Sequence, residues 1–166
     1  MDFVAIIFFV VVVASLGAIF DAPWVPTGKK DYDRIAKLAD LEAGQTFWDI
    51  GSGSGNLLFY AAQKYDAKCV GIEISPIWYA FSKIKSLFYK NVKIKFGDFH
   101  DFDFNNADVV YTFLTQPKYK KVKEKFDKEA KPGAKLIFAV WPVPDQTPNA
   151  EDLKPKSKPY YKYVQS

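Results

Sequence analysis

Asp49-Ile50-Gly51-Ser52-Gly53-Ser54-Gly55, followed 18 residues after Gly55 by Glu73 in Gly71-Ile72-Glu73-Ile74, decides the fold of this 166-residue chain. Phe47, Trp48 and Ile50 form a short apolar run that ends at the glycines, and Asn56 to Ala62 then takes on helical spacing, so the glycines occupy a strand-to-helix turn. Glycine at such a turn lets backbone approach a ligand closely. A second apolar strand, Lys68 to Ile72, brings Glu73 to the same edge of the sheet, where a carboxylate accepts hydrogen bonds from both hydroxyls of a ribose. The pattern reads as a nucleoside-cofactor site.

Outward from this stretch, strand and helix keep exchanging. Tyr32, Ile35, Leu38 and Ala39 predict a helix over Asp31 to Leu41, ahead of the first strand. After the Glu73 strand come a helix from Pro76 to Tyr89, with proline in its first turn, and an alternating strand from Val92 to Phe96. That strand ends in Gly97-Asp98-Phe99, where Asp98 can accept from an adenine amino group while Phe99 packs near the base. A plain Gly-Asp turn is the alternative, and the order glycine loop, acid, Gly-Asp favours the cofactor-facing reading. Asp108 to Leu114 predicts a central strand, Lys118 to Glu129 a helix and Ala134 to Val140 another strand. The proline-rich stretch from Trp141 to Pro159 reads as a loop and Tyr160 to Val164 as a last strand. The expectation is an α/β, doubly wound, mainly parallel sheet of six strands, Rossmann-like, with a trimmed edge that leaves the acceptor side open.

Composition bounds what this sheet can do. At 49% hydrophobic and 17% aromatic, the chain can bury one core. Cys69, inside an apolar strand, is the single cysteine, so no disulfide forms within the chain and a reducing compartment fits. The net charge is +4, but Glu124, Asp127 and Glu129 interrupt the lysines of Lys118 to Lys131, which reads as a solvated helix face. No nucleic-acid partner is expected, because no basic and aromatic stripe accompanies it. The oligomeric state is left open.

The N-terminus differs in kind. Phe3 to Phe20 carries no charge, and as a helix would extend about 27 Å, enough to cross a bilayer core. A cleaved signal peptide fits less well, since no lysine or arginine precedes the segment. A buried core helix fits poorly too, because the segment has no polar face. Residues 1–21 are therefore expected to form a transmembrane anchor and residues 22–166 the domain. Lys29 and Lys30 follow the anchor, which places the domain on the cytoplasmic side of the membrane.

The glycine spacing narrows the cofactor. A dinucleotide fingerprint needs a third glycine at position 56, where this chain has Asn56. G-x-G-x-G after Asp49 instead resembles motif I of class I S-adenosylmethionine-dependent methyltransferases, and Glu73 resembles the acid that closes their second strand. Ala22-Pro23-Trp24-Val25-Pro26-Thr27, Gly71-Ile72-Glu73-Ile74-Ser75-Pro76, Val140-Trp141-Pro142-Val143-Pro144 and the tyrosine-rich end resemble a narrower group. That group is the small membrane-anchored protein-lysine methyltransferases related to the mitochondrial enzyme acting on the ATP synthase c-subunit. The resemblance runs through nearly the whole chain. It implies S-adenosyl-L-methionine as cofactor and Thr27, Asp49, Gly51, Ser52, Gly53, Gly55, Glu73, Ile74, Asp98 and Phe99 as its contacts, with Thr27 at the methionine end. Pro23 and Pro26 equally suit a stiff linker.

For the acceptor, Tyr111-Thr112-Phe113-Leu114 lacks the Asn/Asp-Pro-Pro-Tyr signature that grips a planar nitrogen, so nucleobase and glutamine methylation recede. Tyr111, Phe113 and Trp141 are candidate walls of a lysine slot, with Tyr111 and Trp141 given the catalytic role; the common alternative is that each simply fills the core or caps the sheet. His100, beside Asp98, Asp101 and Asp103, reads as a surface residue and is left out of the catalytic set. The expected activity is N-methylation of a lysine on a membrane-associated protein. The alternatives are methylation of a small or lipid amine, and a non-catalytic assembly module.

Overall fold

In a computed structural model that describes residues 25–166, β1 (Thr46–Ile50) lies between β2 (Lys68–Glu73) and β4 (Val109–Thr112), parallel to both. β3 (Val92–Phe96) pairs with β2, and β5 (Lys135–Ala139) with β4, again in parallel. Parallel strands need crossovers, and the helices supply them: α2 (Asn56–Lys64) after β1, α3 (Pro76–Ser86) after β2 and α4 (Gln116–Glu129) after β4. α1 (Lys29–Leu38) precedes the sheet. Covered on both faces, β1 and β4 are nearly wholly buried, which is why they read as continuous apolar runs.

Two cores result. On one face Phe47, Cys69, Val109, Tyr111 and Ile137 pack with α1 and α2. On the other Trp48, Ile50, Ile72, Val110 and Phe138 pack with Tyr119, Val122 and Phe126 of α4. Odd and even positions of β1 thus serve opposite layers, as strand geometry requires.

The doubly wound, mainly parallel sheet is as expected, but it has seven strands, in the order β3-β2-β1-β4-β5-β7-β6. β7 (Tyr160–Val164) runs antiparallel to β5, and β6 (Ala150–Asp152) antiparallel to β7. β6 falls inside the stretch read as a loop, so the expected six strands and trimmed edge are corrected. Three residues between prolines are too few to show a period, and long-range bonds hold them: Arg34 of α1 donates to both carboxylate oxygens of Asp152 at 2.8 and 2.9 Å. The expected transmembrane segment, residues 1–21, lies outside the described residues. Among the described residues no helix is long and apolar enough to cross a membrane.

Candidate functional site

The order of the strands reverses between β1 and β4, and in open α/β sheets the crevice at the carboxyl ends of the strands beside such a reversal takes the ligand. The glycine loop closes that end of β1. Gly51, Gly53 and Gly55 all have positive φ, at 75°, 53° and 72°, a region that side chains with a Cβ rarely adopt. The Gly51 and Ser52 N–H groups both donate to the Ile72 carbonyl, at 2.9 and 3.0 Å, which folds the loop back onto β2. A Cβ on Gly51 would stand 2.9 Å from Leu114 Cδ2, at the wall of the crevice. Gly55 matters for packing instead, since a Cβ there would meet the Phe59 ring at 2.8 Å, and its glycine lets α2 start against its own core.

Glu73, buried at the end of β2, is held from both sides. Its Oε2 accepts from the Gly53 N–H at 2.7 Å and its Oε1 from the Ser75 N–H at 2.8 Å. A carboxylate has about four acceptor positions, so each oxygen keeps one for a ribose hydroxyl. Asp49, on β1, is buried, and burial followed by the charge of Glu73 pushes its carboxyl up to about 8. Ser52 Oγ is buried without a hydrogen-bond partner among the described residues.

An open cleft beside the loop is lined by Ile50, Gly51, Ile72, Ile74, Gly97, Asp98, Phe99, Leu114 and Lys118. It brings together Gly51, Ile74, Asp98 and Phe99 of the expected set, apolar walls with one carboxylate, which suits a purine base. Asp98 Oδ1 accepts from the His100 N–H at 2.9 Å, capping a short 3-10 turn at Phe99–Asp101. His100 is exposed and rests its ring on Phe99. Leu114 and Lys118 escaped the sequence reading. Leu114 looked like the end of a strand and Lys118 like the start of a solvated helix; that β4 stops at Thr112 and α4 begins at Gln116 is what turns both to the cleft.

On the other side of the loop, Thr27 Oγ1 and Tyr111 OH share a hydrogen bond of 2.8 Å across 84 residues of chain. Tyr111 is fully buried, and burial foremost holds its hydroxyl well above the ordinary tyrosine range. Phe113 follows on the same face of the sheet, and the Lys158 ammonium stands 4.3 Å over its ring and donates to the Pro26 carbonyl at 3.5 Å. Burial lowers the Lys158 ammonium despite the attraction of Asp31. Trp141 stands apart from this group. Val140 takes φ 75° and the Trp141 N–H donates to the Ala139 carbonyl, a tight turn that sends the indole to the α4 face beside Tyr119, 6.3 Å between ring centres.

The residues present suit a nucleoside cofactor with a polar tail: Glu73 for the ribose, the cleft for the base, and the loop with Thr27 for the tail. Comparison with known proteins agrees. The ANTKMT methyltransferase domain family matches residues 49–150. A protein-lysine N-methyltransferase of Saccharolobus islandicus is 32% identical over 119 residues, 69% of this chain and 74% of that protein. The human lysine N-methyltransferase of the ATP synthase c-subunit is 26% identical over 130 residues, and the match spans 76% of this chain but only 55% of the human protein. Among solved structures, an RNA methyltransferase from Salinibacter ruber in complex with S-adenosyl-L-homocysteine superposes with a TM-score of 0.79 at 26% identity, covering 84% of this chain and 93% of that one. With motif, fold and relatives in agreement, the chain belongs to the ANTKMT methyltransferase family and is an S-adenosylmethionine-dependent methyltransferase.

Proposed function

We propose that the enzyme methylates the ε-amino group of a lysine in a membrane-associated protein, with residues 1–21 as a single-pass anchor and the domain on the cytoplasmic side. The observation that carries the acceptor class is the Lys158 ammonium on the Phe113 ring, beside the Thr27–Tyr111 bond. This rim accommodates an alkylammonium, and burial foremost holds that of Lys158 below the ordinary lysine range. A free lysine, with an ordinary pKa of about 10.4, must lose its proton before it can attack, so a wall that disfavours the charged form assists the reaction. The lysine-modifying relatives favour the same acceptor.

S-adenosylmethionine supplies a methyl group on a sulfonium, which passes in line to a nucleophile. Under this reading Glu73 and the Asp98 cleft hold the nucleoside, the glycine loop and Thr27 fix the tail, and Tyr111 sets Thr27. Phe113 orients the incoming amine and excludes water. Alignment of this kind can supply much of the rate without a nucleophilic side chain.

The test is to incubate membranes with the purified full chain and S-adenosylmethionine labelled in its methyl group. Label should appear in protein, and acid hydrolysis should release it as methyllysine. Label that runs with lipid or small amines overturns the lysine reading and supports the alternative acceptor class.

A further inference from the structure

α3 faces the wrong way for an ordinary amphipathic helix. The side chains it buries are Ser82 and Ser86, whose hydroxyls donate to the Trp78 and Lys83 carbonyls, at 2.8 and 2.7 Å. Small residues let the helix sit close to β2 and β3. On the opposite side Ile77, Phe81 and Ile84 follow helical spacing in one stripe, continued by Phe88 in the turn just past the helix, and all are exposed, Ile84 at 63% and Phe88 at 83%. The sequence from Ile74 to Gly97 contains Lys83, Lys85, Lys90, Lys93 and Lys95 and no acidic residue. Lys83 and Lys90 are exposed.

We propose that α3 lies on an anionic lipid bilayer, with Ile77, Phe81, Ile84 and Phe88 at the acyl-chain boundary and Lys83 and Lys90 among the headgroup phosphates. An apolar stripe flanked by lysines is the chemistry of an interfacial helix, and anionic lipid attracts each nearby lysine. Charge selects the bilayer over other occupants. A second copy placed symmetrically on α3 would bring lysine against lysine, and residues 3–20 have no acid to meet these lysines. Lys29, at the start of α1, is near enough to Lys85 to repel it, and in sequence the uncharged segment Phe3 to Phe20 ends shortly before Lys29. Because α3 starts just after Glu73, this pose sets the cofactor cleft at the level of the membrane surface. The surface does not depend on which acceptor is methylated.

A cysteine introduced by Phe88→Cys in the full chain can carry an environment-sensitive fluorophore, since Cys69 is buried with its thiol pushed up to about 12 and stays unlabelled. A second labelled chain, Lys120→Cys, at an exposed position of α4, is the control. In phosphatidylserine-containing vesicles whose acyl chains carry bromine, the label at position 88 should lose at least about half its emission, and that at 120 should not. Adding Ile84→Glu should restore emission at 88. A label at 88 that iodide in the water quenches as readily as the one at 120 overturns the proposal. Protection from both quenchers also overturns it, because protein then covers α3. Sedimentation of the same samples reads the anchor separately: a chain that sediments with vesicles while its label at 88 stays in water removes this surface and leaves the anchor standing.

Discussion

At Glu73, one substitution tests the cofactor and the loop together. Glu73→Ala removes the carboxylate proposed to hold the ribose and leaves the Gly53 and Ser75 N–H groups unpaired, at about 1–3 kcal/mol for each that is buried. Calorimetry should show cofactor affinity lower by at least about tenfold, and thermal unfolding a lower midpoint. Unchanged affinity in a folded variant would remove Glu73 from the ribose. Asp49 gives a pH signature. Its folded value, raised to about 8 from an ordinary 3.8, means that the folded state holds a proton the unfolded state has lost between those values. Its contribution is therefore fully present below about pH 4 and is lost as pH rises toward 8, by at most about 1.4 kcal/mol per pH unit. Asp49→Asn should flatten that fall and be the more stable protein at pH 8; parallel melting profiles would refute it. These residues were legible because glycine spacing and a strand-end acid are local signals. The Thr27–Tyr111 bond was not: the two were singled out for different ends of the reaction, and no local pattern joins positions 84 apart.

Among the elements, those with a period were read closely and those without were not. The last strand, Tyr160–Val164, agrees with its sequence pattern residue for residue, whereas β6 lies within the expected loop because what fixes it is Arg34, on a distant helix. Arg34 also pairs with buried Asp31 at 2.7 Å and donates to the Lys158 carbonyl at 3.1 Å. Arg34→Ala strands these acceptors, and a mostly buried pair broken on one side costs about 3 kcal/mol or more. The expected outcome is a lower unfolding midpoint and loss of amide protection in Ala150–Asp152 by hydrogen exchange, with the parallel strands still protected. Uniform loss across the sheet would show that β6 is no separate unit. α3 was found as a helix, but its orientation was not legible. Periodicity says that one side is apolar and cannot say whether protein or something else covers it; Ser82 and Ser86 reverse the usual answer.

For the whole molecule, the doubly wound order was legible because strand and helix alternate down the chain, and the switch point follows from it. The motif-bearing sheet begins at Thr46, well after the apolar segment, so deleting Met1 to Phe20 should leave a folded domain that keeps its cofactor affinity within about threefold, about 0.65 kcal/mol. A truncated chain that fails to fold would place the segment in the core. On the anchor reading, the Thr27–Tyr111 bond has a further consequence, one of reach. The chain from Phe20 to Thr27, fully stretched, covers at most about 25 Å, and Thr27 is fastened to Tyr111, beside the proposed acceptor rim. Under the proposed function and anchor the enzyme would work on a short leash: a lysine on a stalk high above the bilayer would be out of range whatever its flanking residues, and one near the headgroups in range. Lengthening the leash with glycine and serine after Asp21 should admit acceptors of greater altitude, so that height above the membrane is sorted before any side chain of the acceptor is.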